Sequence, residues 1–440
     1  MKRIYLYVSF LSCLLASQTG LAQEKEDYKL SLKEAVALAV KNNKYVKNAG
    51  LKIAAAKEKK WETTAVGLPQ VNAKVEYLNG VVQQFPGIDF NGDGIIDIGA
   101  KHSLTPSVTL SQLIFDGSYI VGLQAAKVFL EISKNSETKT KNKIETETTM
   151  AYANALLINE SIVLTKQNKT SLEKNLNETR EIFNNGLLEQ ESVEQLELTL
   201  ANLENNLNRL EQLKKNAYNA LKFLFSVDFK SKLQLTDTLE TIYTADKAEN
   251  LVKESSYFES IDIKIAQNNV KAKALLHKLE KSKLLPSISA FVNANYIANN
   301  NQFTTLISSN QKYVNTVNFG VSMRIPIFSS FGNRSKIRNA KINHKIAENE
   351  LLLTTSSIQL EIENAKTELK FAYNNYKNKK KSLALANKIE RKNVLKFKEG
   401  ISTSFDLRQA QTQLYSIQQE YLQSIATIIN KKTTLQNLYK

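Results

Sequence analysis

Between Gly122 and Gly186 the chain runs for 63 residues without a glycine or a proline, and between Gly332 and Gly400 it does so for 67. Stretches of that length, rich in Lys, Glu, Asn, Leu and Ala, read as single helices. At ~1.5 Å per residue each would extend ~95–100 Å, several times the diameter of a small domain. All five prolines fall elsewhere, Pro69, Pro86 and Pro106 in one window, Pro286 and Pro326 in another. A compact globular fold has no use for helices this long, so the two runs exclude most ordinary architectures.

Each breaker glycine is followed by a heptad-like seam. Leu196, Leu200, Leu203, Leu207, Leu210, Ala217, Leu221 and Leu224 step mostly by three and four, and Leu407, Leu414, Ile417, Tyr421, Ile428, Leu435 and Leu438 do much the same. Each seam implies a helix folding back on its long predecessor as an antiparallel hairpin. The long helices are wetter: KNSETKTKNKIETETT, Lys134 to Thr149, offers almost no core residues. A helix wetted on two opposite faces and packed only at its flanks has this composition, and the wall of a water-filled tube is one such case.

The two halves repeat. FNNGLLEQESVEQLELTLANLENNL from Phe183 and FKEGISTSFDLRQAQTQLYSIQQEY from Phe397 share the Phe, the Gly and apolar positions at the same offsets, 214 residues apart. Leu68-Pro69 and Leu285-Pro286 each end a helical segment upstream. The expected organisation is a signal peptide over 1–22, a first structural repeat over 23–228 and a second over 229–440. The punctuated windows alternate apolar and polar residues with period two. They read as strands at about 68–79 and 104–115 in the first half and about 286–298 and 314–328 in the second. Long helices are expected at about 118–184 and 333–398, and shorter ones at about 188–226 and 402–438.

Lys2 and Arg3, the apolar run from Ile4 to Ala16 and the small residues of Gly20-Leu21-Ala22 make the leader secretory, with cleavage after Ala22. A lipoprotein reading would use Cys13, but Phe10-Leu11-Ser12 before it is a poor lipobox and the apolar run continues past it. Cys13 is the only cysteine, so the mature chain has neither disulfide nor thiol chemistry. His102, His277 and His344 are isolated, none at metal-ligand spacing. A formal charge of +16 would point to nucleic acid in a cytosolic protein. Export, and lysines scattered along helices, make it a solvated basic face instead, with no nucleic-acid partner. Neither a nucleophile elbow nor a phosphate-cradling glycine loop is present, so no enzyme is expected.

The mature chain also lacks an apolar run of ~18 residues, and with it a membrane helix. The strands carry greasy faces that helices so long and polar cannot cover. An exported chain that crosses a membrane without a helix does so as a closed barrel of tilted strands. Four strands cannot close around a pore, since ~8 make the smallest barrel, so two or three copies of the chain must combine. The alternative is a secreted periplasmic coiled-coil scaffold, which accounts for the helices and leaves the strands unexplained.

The chain resembles the TolC family of outer membrane factors, over Leu30 to Tyr439. The residues that carry the resemblance are LSLKEAVALAVKNN, Leu30 to Asn43, the Leu-Pro before the first strand of each half, and the hairpin turns FNNG and FKEG. It implies a mainly α protein with a membrane β-barrel. Each protomer of a homotrimer gives four strands to a 12-stranded barrel and long antiparallel helices to a periplasmic α-helical tube. It further implies a cell outer membrane exit duct for a tripartite efflux pump or type I secretion system. The partners would be a periplasmic adaptor, an inner-membrane RND or ABC pump and outer membrane lipid, with no cofactor required. Phe229 to Tyr243 and the C-terminus would form a belt around the tube.

Family members place acidic residues in the helix after the second glycine turn. By position after Gly400, Asp406 matches the first such aspartate and the uncharged Gln409 the second; Ser192, with Glu191 beside it, is the first-half counterpart. A threefold ring of Asp406 would favour cations at the entrance, while the plainer alternative is an acid stabilising a helix N-terminus. Gly186, Leu187, Leu188, Gly400 and Ile401 would form tips that dock the adaptor or pump, or would only staple the turns.

The stretch DFNGDGIIDIG offers Asp89, Asn91 and Asp93 at positions one, three and five of a calcium loop, the Ile95 carbonyl at seven and Asp97 at nine. Ala100 stands where the bidentate acid belongs, and Asn91-Gly92 and Asp93-Gly94 are strong turn dipeptides. A weak extracellular calcium clip and a plain turn are the two readings.

Overall fold

The computed structural model describes residues 27–81, 100–245 and 257–440; the leader expected over 1–22 lies outside them. In chain order the first half contains β1 Asp27–Leu30, α1 Leu32–Asn42, α2 Lys44–Ala65, β2 Gln70–Asn79, β3 His102–Asp116, α3 Gly117–Asn184 and α4 Gln190–Phe225. The second contains β4 Lys232–Leu235, α5 Leu239–Ala245, α6 Ile261–Ser282, β5 Ser287–Asn300, the single turn α7 Phe303–Leu306, β6 Val314–Arg324, α8 Gly332–Lys398 and α9 Ser404–Tyr439. The duplication is visible in element lengths: 22 residues for both α2 and α6, 68 and 67 for α3 and α8, 36 for both α4 and α9.

β6 ends four residues before the expected boundary at 328. Pro326 has no N–H to give a ladder, so pairing stops at Arg324. α1 begins at a capping box in which the Ser31 N–H donates to the Glu34 carboxylate at 2.8 Å and the Glu34 N–H returns to Ser31 Oγ.

Two compact units divide the chain, and neither is a sequence half. Of the described residues, one takes 27–44, 143–245 and 364–437; the other takes 45–81, 100–142, 257–363 and 438–440. Each long helix gives its first part to one unit and its last part to the other, so a repeat along the sequence is not a domain in space.

The first unit is held by heptad packing. Leu196, Leu203, Leu210, Ala217 and Leu224 are all buried at intervals of seven, and Leu407, Leu414, Ile428 and Leu435 repeat the pattern in α9. A strict seven-residue seam keeps facing its partner only with left-handed supercoiling. Leu200 and Leu207, part of the expected seam, are only half-buried because they flank that stripe. The wet stretch Lys134 to Thr149 still buries Ile144 and Thr148. Charge pairs link neighbouring helices, such as Lys169 with Glu204 at 2.8 Å and Lys431 with Glu368 at 2.8 Å, and solvent screening keeps their contribution small.

β1 and β4 pair in parallel, a two-stranded sheet whose β1 partner the sequence does not announce. The buried Tyr152 of α3 pins it: its hydroxyl donates to the Leu30 carbonyl at 2.8 Å and to Asp237 at 3.1 Å, and Asp237 accepts the Leu32 N–H. Half-burial raises the pKa of Glu160, which accepts the Leu239 N–H at 2.7 Å and so fixes the start of α5. This is the region expected as a belt.

Candidate functional site

The second unit contains a four-stranded antiparallel sheet in the order β2-β3-β5-β6. Its strands are 10, 15, 14 and 11 residues long, enough for the ~9–11 residues that a tilted strand needs to cross a bilayer. Register sorts the side chains into two faces. Val71, Leu110, Val292 and Phe319 lie in one cross-strand row, and Ala73, Val108, Ala294 and Val317 in another. One residue along, the opposite face carries Asn72, Thr109, Asn293 and Asn318, then Lys74, Ser107, Asn295 and Thr316. The Thr109 hydroxyl donates to the Asn293 side chain across this wet face.

Among the described residues nothing covers the apolar face: Val71 is 69% exposed, Val317 72% and Phe319 89%. At ~25 cal/mol per Å² of apolar surface, several such side chains in water would cost several kcal/mol. Patches this large mark an interface or a membrane. The outer edges of β2 and β6 also have no strand paired to them among the described residues, and long apolar edges are templates for further strands. A Cβ at Gly320 would meet the Phe291 ring at 2.7 Å, so the ring packs over the glycine and would have to move for any larger residue.

Among the described residues no helix is long and apolar enough to cross a membrane, and no group of three His, Cys, Asp or Glu side chains could hold a metal ion. Asp89, Asn91, Asp93, Ile95 and Asp97 lie outside the described residues.

The second site is the pair of glycine turns in the first unit. Gly186 and Gly400 adopt φ of +75° and +71°. The Gly186 N–H donates to Phe183 and the Leu187 N–H to Ile182; Gly400 and Ile401 repeat this with Phe397 and Lys396. Both long helices thus end in the same Schellman motif, whose left-handed residue favours glycine. The turns share one groove, lined by Leu187, Leu188, Ser192, Thr403 and Phe405 among others. Lys398 pairs with Glu178 at 2.9 Å beside it. Leu187 and Ile401 are about three-quarters exposed, whereas Leu188 is half-buried in the wall of the groove.

Asp406 sits in a capping box that Thr-x-x-Asp in the sequence could have announced. The Thr403 hydroxyl donates to its carboxylate at 2.7 Å and the Thr403 N–H at 3.1 Å, while the Asp406 N–H returns to the hydroxyl. These bonds, with a smaller effect from Lys396, hold the carboxyl below its usual range. The first half has no such box: Glu189 caps α4 without a side-chain bond, Ser192 is buried, and exposed Glu191 accepts from Gln195. Gln409 is exposed one turn along α9. A depressed carboxylate stabilises the helix start above its unfolded pKa and loses that contribution as pH falls through the folded one. Acidification below about pH 4 is therefore expected to lower the protection of the Thr403 and Asp406 amides, measured against the free-peptide exchange rate at the same pH, with α4 unaffected.

Residues 258–439 match the family model described as outer membrane efflux protein. No curated protein matches the chain by sequence. Solved structures of similar fold include three outer membrane proteins. The outer membrane protein VceC of Vibrio cholerae has a TM-score of 0.75 at 15% identity, covering 93% of this chain and 95% of that one. The CmeC outer membrane channel of Campylobacter jejuni has 0.76 at 18%, covering 93% and 85%. The open-state MtrE outer membrane channel of Neisseria gonorrhoeae has 0.75 at 16%, covering 93% and 88%. Residues 258–439 are thus similar to the outer membrane efflux protein family, and over 93% of its length the chain shares the fold of solved outer membrane channels.

Proposed function

We propose that the chain works as the exit duct of a tripartite efflux pump or type I secretion system, as a homotrimer whose three sheets close one barrel. The observation that carries this is the four-stranded sheet with one bare apolar face, one polar face and two open edges. Edge-to-edge pairing of β6 in one copy with β2 in the next satisfies both edges, faces the apolar rows to lipid and leaves the asparagines and threonines around water. The remaining roles follow from this assembly. The paired glycine turns, with Leu187 and Ile401 outermost, are the surface offered to a periplasmic adaptor or an inner-membrane RND or ABC pump. Asp406, repeated three times around the axis, makes the entrance favour cations, a role its capping bonds allow because they keep it ionised.

Reconstitution of the purified protein in planar bilayers tests both levels. Discrete, cation-preferring channels are expected, and Asp406→Asn is expected to lower the cation-to-anion permeability ratio severalfold without abolishing conductance. An unchanged ratio removes the ring while leaving the duct. A protein that forms no channels and stays in the soluble fraction removes the duct.

A further inference from the structure

We infer that the connector between β6 and α8, residues 325–331, together with the start of α8, is an interfacial anchor that binds anionic phospholipid at the rim of the bilayer. The inference rests on the membrane-duct reading above. At the end of the sheet Asp116, Ser287 and Arg324 lie in one row. From that row the first half passes directly into α3 at Gly117, whereas the second inserts IPIFSSF before α8. The two halves match closely in helix length, so the inserted segment is not something the repeat requires.

Its side chains continue the apolar face. Val317, Phe319, Val321 and Met323 alternate outward along β6, and Ile325 and Ile327 keep that phase beyond the last paired residue. Ile327 is 93% exposed and Phe328 76%, the latter packed edge-on to Phe331 with ring centroids 6.0 Å apart. Ser330 and Phe331 hold φ of +49° and +62°, a left-handed turn that neither side chain favours. An aromatic residue kept there in water has no local reward; one entering the acyl boundary has.

The charge beside it is one-signed. From Lys281 to Ala347 the chain has no acidic residue. Arg334, Arg338, Lys341 and Lys345 recur at intervals of four, three and four, one face of α8, and all are exposed without an acidic partner among the described residues. Arg334 and Arg338 are ~6 Å apart along the helix, within the ~5–8 Å of a headgroup layer. Apolar residues entering the acyl boundary below a cationic row fit an anionic lipid surface.

The test uses the full chain with its only tryptophan removed, Trp61→Phe, and an indole introduced by Phe328→Trp, in phosphatidylcholine vesicles with or without phosphatidylglycerol. Quenching by lipids brominated near the headgroup is expected to exceed quenching by aqueous iodide at least twofold. In the Arg334→Gln/Arg338→Gln variant, co-purifying phosphatidylglycerol is expected to fall about fivefold per cation removed, the equivalent of ~1 kcal/mol each. An indole quenched by iodide alone, or shielded from both quenchers by a second copy, overturns the anchor, as does unchanged lipid retention. Alkaline carbonate extraction separates the two levels. A chain that stays in the membrane but fails these assays loses only the anchor, while a chain that is extracted loses the duct reading as well.

Discussion

Phe319→Arg is expected to abolish the heat-resistant oligomer in the outer membrane fraction. Phe319 is the sixth of the eleven residues of β6 and 89% exposed, so in a spanning strand it lies near the bilayer midplane. An arginine there costs ~2–4 kcal/mol in a membrane barrel. In the proposed trimer three copies would bring ~6–12 kcal/mol, comparable to the whole stability of an ordinary domain. The neighbour supplies the control: Asn318 belongs to the polar face, and Asn318→Arg should leave the oligomer intact because the lumen is wet. Fractionation and gel electrophoresis with and without heating read both. Equal oligomer from the two variants would mean that the apolar face does not meet lipid, and would revive a periplasmic scaffold, for which a surface arginine costs almost nothing.

Leu196→Ala is expected to destabilise the first unit by ~3–5 kcal/mol. Leu196 is fully buried in a cluster with Leu172, Leu176, Val193 and Leu203, against which Phe183, Leu200 and Tyr415 also pack. Few of these neighbours can collapse into the void, since each is held on a helix by its own heptad contacts. Two residues on, Leu198 is 58% exposed on the other side of α4, and Leu198→Ala should change stability by no more than ~0.5 kcal/mol. Denaturant unfolding of the detergent-solubilised protein, followed by hydrogen exchange in α3 and α4, distinguishes the two. Similar losses for both would mean that Leu198 is covered in the assembly, which would extend the interface between copies to this face.

The features legible in the sequence are those written locally. A glycine at the end of a helix announces a left-handed cap, and Gly186 and Gly400 adopt it. Alternation with period two announces a strand with two faces, and the apolar positions Val71, Val108, Val292, Val317 and Phe319 fall on one side of the sheet. The capping box at Thr403 and Asp406 is equally local, yet an acid near a predicted pore reads first as a charge, and only the geometry shows its carboxylate engaged by Thr403. Leu200 and Leu207 show the opposite error: they are leucines at plausible spacing, but the buried stripe is the row of sevens beside them.

An inventory is legible along the chain: a duplication, two very long helices, four amphipathic strands, and turns at fixed places. Periodicity and backbone preference act over a few residues, so they can be read without knowing what touches what. The folded chain adds that the halves meet through β3 and β5, that each compact unit is assembled from pieces of both halves, that the two glycine turns share one groove, and that the apolar rows of four strands merge into one face left uncovered by the described residues. Those are pairings between residues far apart in the chain, such as His102 with Asn300. Their free energy comes from matching complete surfaces and ladders, which no short window of sequence contains.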